Sequence, residues 1–138
     1  MGADTLRYLL GREVLENKGL PASRIAVLEG VMGFYDGLGG VSERASAWEV
    51  ADLTDTPVIL IVDMKGRSLS ALASIKGFME YQERSHVAGV IFNRLSSMIY
   101  PGLRKKAEQE LGIRVFGYIP ELRDLTLESR HLGLVMPE

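Results

Sequence analysis

The chain has 138 residues, 46% apolar and 25% charged, the balance of one ordinary globular domain and not of a disordered or fibrous segment. Sixteen Lys and Arg against eighteen Asp and Glu leave a formal charge of −2 with no block of like charge, so neither a nucleic-acid surface nor a polybasic membrane surface is expected. The absence of cysteine excludes disulfides, thiolate nucleophiles and zinc ribbons within these residues and fits a reducing, cytoplasmic setting.

Leu6, Leu9, Leu10, Val14 and Leu15 recur at helical spacing until Gly19 and Pro21, which predicts a helix over Thr5–Lys18. Asp4, Arg7 and Arg12 interrupt that apolar pattern, so it is not the hydrophobic core of a secretion signal. Ile25 to Leu28, flanked by Arg24 and Glu29, suits a strand buried on both faces, and a glycine-rich loop follows through Gly40. Ser46 to Leu53 reads as a short helix stopped before Pro57. The segment PVILIVDM, ending at Met64, is the clearest buried strand. Its apolar core, Val58 to Val62, is far shorter than the ~20 residues that span a bilayer.

The alternation continues with a helix over Ser68–Tyr81, a strand at VAGVIFN, a helix over Pro101–Leu111 and a strand at VFGYIP. Helix and strand in turn imply βαβ crossovers, hence an α/β fold with a doubly wound, mostly parallel sheet. Residues beyond Glu121 lack a strong period and are expected to form a tail or the start of a linker. Ligands of such sheets sit beyond the carboxyl ends of the strands. Glu29, Asp63, Asn93 and Pro120 stand where the apolar runs stop, and they either share one site along that rim or solvate its loops.

The segment EGVMGFYDG places Glu29 and Asp36 seven residues apart around a glycine-punctuated loop. Hard cations prefer oxygen ligands, and Mg2+ bound with phosphates needs only one or two carboxylates. Glycines allow close approach of backbone to phosphate. On spacing alone, an acidic residue followed by glycine also describes many ordinary turns.

As a whole string, EGVMGFYDG closely resembles the signature of the cobyrinic acid a,c-diamide synthases, and its VMG centre separates it from the related cobyric acid synthases. RHLGLV, Arg130 to Val135, resembles that family's motif at the end of its synthetase domain, while PVILIVDMKGRSLSALA and GVIFNRL resemble its middle strands. The middle region is also similar to dethiobiotin synthetase, a wider relative with a P-loop NTPase fold. The resemblance runs over roughly residues 24 to 136.

It implies an ATP-dependent amidation of a corrin carboxylate through an acyl phosphate, with glutamine as the source of ammonia. The expected partners are a corrin or related tetrapyrrole and the glutaminase domain of a full-length enzyme. It further implies that Glu29 binds Mg2+, that Asp36 binds metal or orients the reacting carboxylate, and that Asn93 reads the adenine ring, for which an amide offers both donor and acceptor. Pro120 stands where those relatives flank the base, or simply turns the chain after a strand. Lys65 matches a lysine near the phosphates and would neutralise charge on the transferred group, or is a solvated loop lysine.

Ser68 is expected to cap the following helix in preference to donating, with Ser70, to substrate carboxylates. His86 reads as a surface residue, and His131 docks the tail or takes part in chemistry. Tyr35 lies in the signature loop within reach of a flat ligand, and Trp48 reads as core.

Two departures qualify the likeness. The 138 residues contain no GxxxxGK[ST] phosphate-binding loop, and they contain no cysteine to serve a glutaminase. The chain is therefore expected to be an internal part of a synthetase domain, inactive in isolation and prone to self-association through an apolar sheet edge or face. The alternatives are part of a nickel sirohydrochlorin a,c-diamide synthase, a non-catalytic binding module, or one component of a split enzyme.

Overall fold

The computed structural model describes residues 25, 27–30 and 32–122. The expected helix Thr5–Lys18 and the segment Arg130 to Val135, with His131, lie outside the described residues. The chain divides into two compact units, Met1–Thr56 and Pro57–Glu138.

In the first unit the described residues of the segment expected as a strand do not form one. Ile25, Val27 and Leu28 have no regular secondary structure, and Ile25 and Val27 are 91% and 88% exposed. Apolar, β-branched composition confers a preference for extended backbone, but a strand forms only where a neighbour pairs with its N–H and C=O groups. The described sheet has three strands, all of them later in the chain. The predicted helix does form, as α1 (Ala47–Thr54). Ser46 caps it: its Oγ accepts from the Glu49 amide at 3.1 Å, and the Glu49 carboxylate accepts from the Ala45 amide at 2.5 Å. This is nearly the reciprocal arrangement of a capping box. At the other end Asp55 takes a left-handed conformation and Thr56 donates to the Ala51 carbonyl at 2.9 Å, so the last carbonyls are satisfied before Pro57.

The second unit alternates β1 (Val58–Asp63), α2 (Leu69–Glu80), β2 (Val87–Asn93), α3 (Tyr100–Glu110) and β3 (Arg114–Ile119). Each lies within about two residues of its sequence expectation, the usual scatter of helix and strand ends. The strands are parallel in the order β1-β2-β3. Because the chain steps across the sheet in one direction, right-handed crossovers bring α2 and α3 to the same face. Leu60, Val90 and Val115 are register partners on that face and are buried with Phe92. The helices contribute Ala71, Leu72, Ile75, Leu103 and Ala107 to the same core.

α3 starts with Pro101 in its first turn, where the missing N–H costs nothing, and carries the i,i+4 pairs Arg104–Glu108 and Lys106–Glu110. Gly112, at φ 65°, follows its end and turns the chain into β3.

The burial expected for PVILIVDM holds on one side only. Leu60 is buried, but Ile59 and Ile61 are 49% and 68% exposed on the opposite side of β1. Alternation along a strand sends neighbouring side chains to opposite faces, so an uninterrupted apolar run does not by itself mean that both faces are covered. Phe116 is also half exposed; its ring lies against Gly89, and the Arg114 guanidinium stands 5.1 Å from the ring centroid. A Cβ at Gly89 would overlap the Phe116 ring.

Three outcomes follow for urea unfolding of the chain. Phe92→Ala, which empties a fully buried site, lowers stability by about 3–5 kcal/mol. Ser46→Ala removes the α1 cap at a cost of about 1 kcal/mol. Gly89→Ala destabilises by about 1–3 kcal/mol through overpacking, and the loss is smaller when Phe116→Ala is already present.

Candidate functional site

The carboxyl ends of the three strands are aligned by register: Asp63 pairs with Asn93, and Asn93 with Ile119. The alignment continues one step beyond the strands. The Met64 amide donates to the Asn93 carbonyl at 2.8 Å, and the Leu95 amide donates to the Ile119 carbonyl at 3.1 Å. Met64 and Leu95 are both buried, anchoring the loops that leave the rim. Between those loops lies a cavity of about 650 Å³ lined by Met64–Ser68, Arg94–Ser97, Ile99, Pro120 and Glu121. That volume is in the range of small-molecule sites.

The loop after β1 is shaped by a tight turn in which the Arg67 amide donates to the Met64 carbonyl at 2.9 Å, with Gly66 at φ 66°. Asp63 holds it from below. Its Oδ1 accepts from the Lys65 amide at 3.1 Å and from Arg94 Nε at 2.8 Å, and its Oδ2 accepts from Arg94 Nη2. The Arg94 hydrogen bonds, followed by that from the Lys65 amide, keep the Asp63 carboxyl below the usual carboxylate range, and the desolvation that opposes them is smaller. The same pairing raises Arg94 further above its already high value. Lys65 Nζ forms a 3.0 Å ion pair with Glu121. Arg67 Nη2 donates to Ser74 Oγ at 2.5 Å. Three cations and several serine hydroxyls thus line a cavity at the strand ends, with Lys65 paired to Glu121 and Arg94 to Asp63.

Of the expected site residues, Lys65 and Pro120 both line this cavity, and Asn93 ends β2 at the same rim. Glu29 and Asp36 belong to the first unit and are exposed. There the Asp36 amide donates to the Gly33 carbonyl at 2.9 Å, and the Asp36 carboxylate lies in the space a side chain at 33 would fill. A side chain at 33 would displace the Asp36 carboxylate from its present position. The Trp48 amide donates to the Phe34 carbonyl at 2.9 Å, and the Tyr35 ring stands 4.7 Å from that of Phe34 and 6.1 Å from that of Trp48, centroid to centroid. Trp48 is half-buried and not fully core.

Among the described residues, no three His, Cys, Asp or Glu side chains gather into a metal-binding cluster. Glu29 and Asp36 are exposed carboxylates, the hard oxygen class of donor that magnesium prefers, and magnesium bound with phosphates needs only one or two of them.

Ser68 stands at the N-cap position of α2, but its side chain makes no capping bond and instead lines the cavity. Its expected capping role is corrected on that ground. Ser70 offers its carbonyl to Arg67 and to the Ser74 hydroxyl. His86 is half-buried just before β2, its carbonyl accepting from the Val58 amide at 2.8 Å. Sequence reasoning passed over Arg94, Arg67 and Glu121. The legible signal for Arg94 was a cation directly after one strand end whose register partner ends in an aspartate.

Comparison with known proteins agrees with this architecture. A family described as an AAA domain matches residues 10–129. The chain belongs to that AAA domain family. The chain is 39% identical over 132 residues to the cobyrinate a,c-diamide synthase of Caldanaerobacter subterraneus subsp. tengcongensis, covering 93% of this chain and 29% of that protein. It is 38% identical over 138 residues to the hydrogenobyrinate a,c-diamide synthase of Streptomyces coelicolor, covering 98% and 28%. With the cobyrinate a,c-diamide synthase of Listeria innocua serovar 6a the identity is 45% over 115 residues, covering 83% and 25%. The likeness carried by EGVMGFYDG is thus borne out, and the chain spans less than a third of the length of these relatives. No solved structure matches. The AAA domain family and the parallel sheet together make this a P-loop NTPase-like α/β chain. No helix among the described residues is long and apolar enough to cross a membrane.

The Asp63 carboxyl gives a directional test. In the folded chain it binds its proton less tightly than in the unfolded chain, so on acidification the unfolded state takes up the proton first. The stabilisation is complete above the unfolded carboxylate value of about 4 and is lost as pH falls through the lower, folded value. Urea unfolding between about pH 6 and pH 2 should show a shallower loss of stability in Asp63→Asn than in the parent chain.

Proposed function

We propose that this chain is the nucleotide-handling part of a corrin a,c-diamide synthase, which converts the a and c side-chain carboxylates of a corrin to amides in cobalamin biosynthesis. The observation that carries it is the intact EGVMGFYDG segment, within a chain aligned along 83–98% of its length with relatives named cobyrinate or hydrogenobyrinate a,c-diamide synthase. A carboxylate is a poor electrophile at neutral pH. Attack of its oxygen on the γ-phosphorus of ATP forms an acyl phosphate and releases ADP. Ammonia derived from glutamine then attacks the acyl carbon, the C–O bond to phosphate breaks, and amide and inorganic phosphate leave. Such phosphoryl transfer depends mainly on positioning and on neutralising charge.

On this reading Asn93 hydrogen-bonds the adenine edge and Pro120 flanks the base, with Lys65 moving from Glu121 to the phosphates. Support comes from the cavity that Lys65 and Pro120 line and from the rim on which β2 ends in Asn93. Glu29 would hold Mg2+, and Asp36 would share the metal or orient the reacting carboxylate. When bound, Mg2+ neutralises phosphate charge. The setting is cytoplasmic, and a glutaminase domain supplies ammonia. The 138 residues carry no GxxxxGK[ST] loop, the motif whose backbone amides and lysine grip phosphates, so the isolated chain does not turn over ATP with glutamine or ammonia.

The test is mass spectrometry of products from the complete reading frame that encodes this chain. It is given ATP, Mg2+ and glutamine with cobyrinate, hydrogenobyrinate or nickel sirohydrochlorin in turn. Stepwise carboxylate-to-amide conversion of a corrin is expected; amidation of the nickel tetrapyrrole alone would move the chain to that substrate. Glu29→Gln should cut turnover by about 100-fold or more, as loss of a group that stabilises transferring phosphate does. Unchanged turnover and Mg2+ dependence would remove Glu29 from its role. ATP turnover by the purified 138-residue chain would overturn its inactivity.

A further inference from the structure

We propose that Arg94 is a positioning residue: through its two-point pairing with Asp63 it sets the Lys65–Arg67 turn and the end of β2 in one fixed relation, so that Lys65 and Asn93 meet the same nucleotide. The proposal rests on the reading of those two residues as nucleotide contacts and goes further by assigning what holds them.

Arg94 follows β2 with φ 57°, the left-handed region. A residue with a Cβ is held there only when surrounding interactions compensate, and such residues concentrate at functional sites. Here that conformation accompanies a guanidinium fork closed on the carboxylate at the end of the neighbouring strand. Nε donates to Asp63 Oδ1 at 2.8 Å, and Nη2 donates to Oδ2. Paired planar groups fix orientation as well as distance, which a lysine ammonium would not do.

Asp63 transmits this restraint. The Oδ1 atom that receives Arg94 Nε also accepts from the Lys65 amide at 3.1 Å, the first peptide of the turn. The adjacent Met64 amide donates to the carbonyl of Asn93 at 2.8 Å. One carboxylate therefore joins the residue after Asn93 to the backbone of Lys65, and a backbone bond joins Asn93 itself to the same turn. With donors on both oxygens, Asp63 is occupied by protein groups.

The pairing contributes only modestly to stability. The Arg94 and Asp63 side chains are 41% and 48% exposed, and ion pairs that exposed add little to folding. Their consequence is geometric, at the mouth of the cavity that Lys65 and Arg94 both line.

Two measurements test the assignment, using Arg94→Gly, which relieves the backbone conformation while removing the fork, and Asp63→Asn, which keeps an oxygen for the Lys65 amide but loses the charge. In the 138-residue chain, hydrogen exchange should show the Lys65 amide opening about tenfold more readily in both variants, the scale of one lost charge-assisted hydrogen bond, while Val90 in β2 keeps its protection. In the complete enzyme, KM for ATP should rise about tenfold with kcat nearly unchanged, and Arg94→Lys should restore it only in part, because it returns charge without the fork. Unchanged Lys65 exchange in both variants would overturn the restraint. Faster exchange with unaltered KM would overturn the positioning role. An enzyme indifferent to ATP would instead overturn the functional reading, and the exchange measurement would still decide whether the restraint exists.

Discussion

The parallel register of β1, β2 and β3 is the constraint from which the site in the second unit derives. Asp63, Asn93 and Ile119 are brought level because their strands pair in that register. The Met64–Asn93 and Leu95–Ile119 backbone bonds carry the alignment into the loops. A one-residue slip would turn Leu60, Val90 and Val115 away from α2 and α3, so burial of the core and alignment of the rim are secured by the same pairing. The chemistry of the rim therefore rests on hydrophobic packing some distance beneath it.

The second constraint is local. In the first unit the signature loop is held by short-range bonds: the Gly33–Asp36 turn, the Leu38 amide on the Arg44 carbonyl at 2.9 Å, and the Trp48 amide on the Phe34 carbonyl. Substitution at Gly33 would push against the Asp36 carboxylate, and at Gly37 against the carbonyls of Ser42 and Arg44. At Gly37, where backbone oxygens leave no room for a side chain, the glycine serves the path of the loop itself, a function separate from any close approach to phosphate. Glu29 and Asp36 thus come from a loop whose shape is dictated within the unit, whereas Lys65, Asn93 and Pro120 come from a sheet edge.

Much of this was legible in the residues. The runs at Val58 to Val62 and Val87 to Phe92, and the helical spacing of Leu72, Ile75 and Phe78, pointed to the elements that form. The stretch from Ser46 to Leu53, stopped before Pro57, pointed to α1, whereas its Ser46–Glu49 cap emerged only from the structure. Ile25 to Leu28 carried the same apolar signal and formed no described strand, because composition does not reveal whether a pairing partner is present. Ile59 and Ile61 looked as buried as Leu60, yet only Leu60 faces α2 and α3. Ser68 had the composition of a helix cap and the position of one, but its hydroxyl makes no capping bond.

By itself, then, the sequence determined the order and kind of the elements in the second unit, the parallel α/β class and the likeness to the a,c-diamide synthases, since periodicity and short motifs are properties of neighbouring residues. Tertiary structure alone decided which strand face is covered, that Arg94 closes on Asp63 across 31 positions of chain, and that Lys65 meets Glu121. Those pairings depend on register and on the direction of each loop, and both are set by the packing of whole elements against one another.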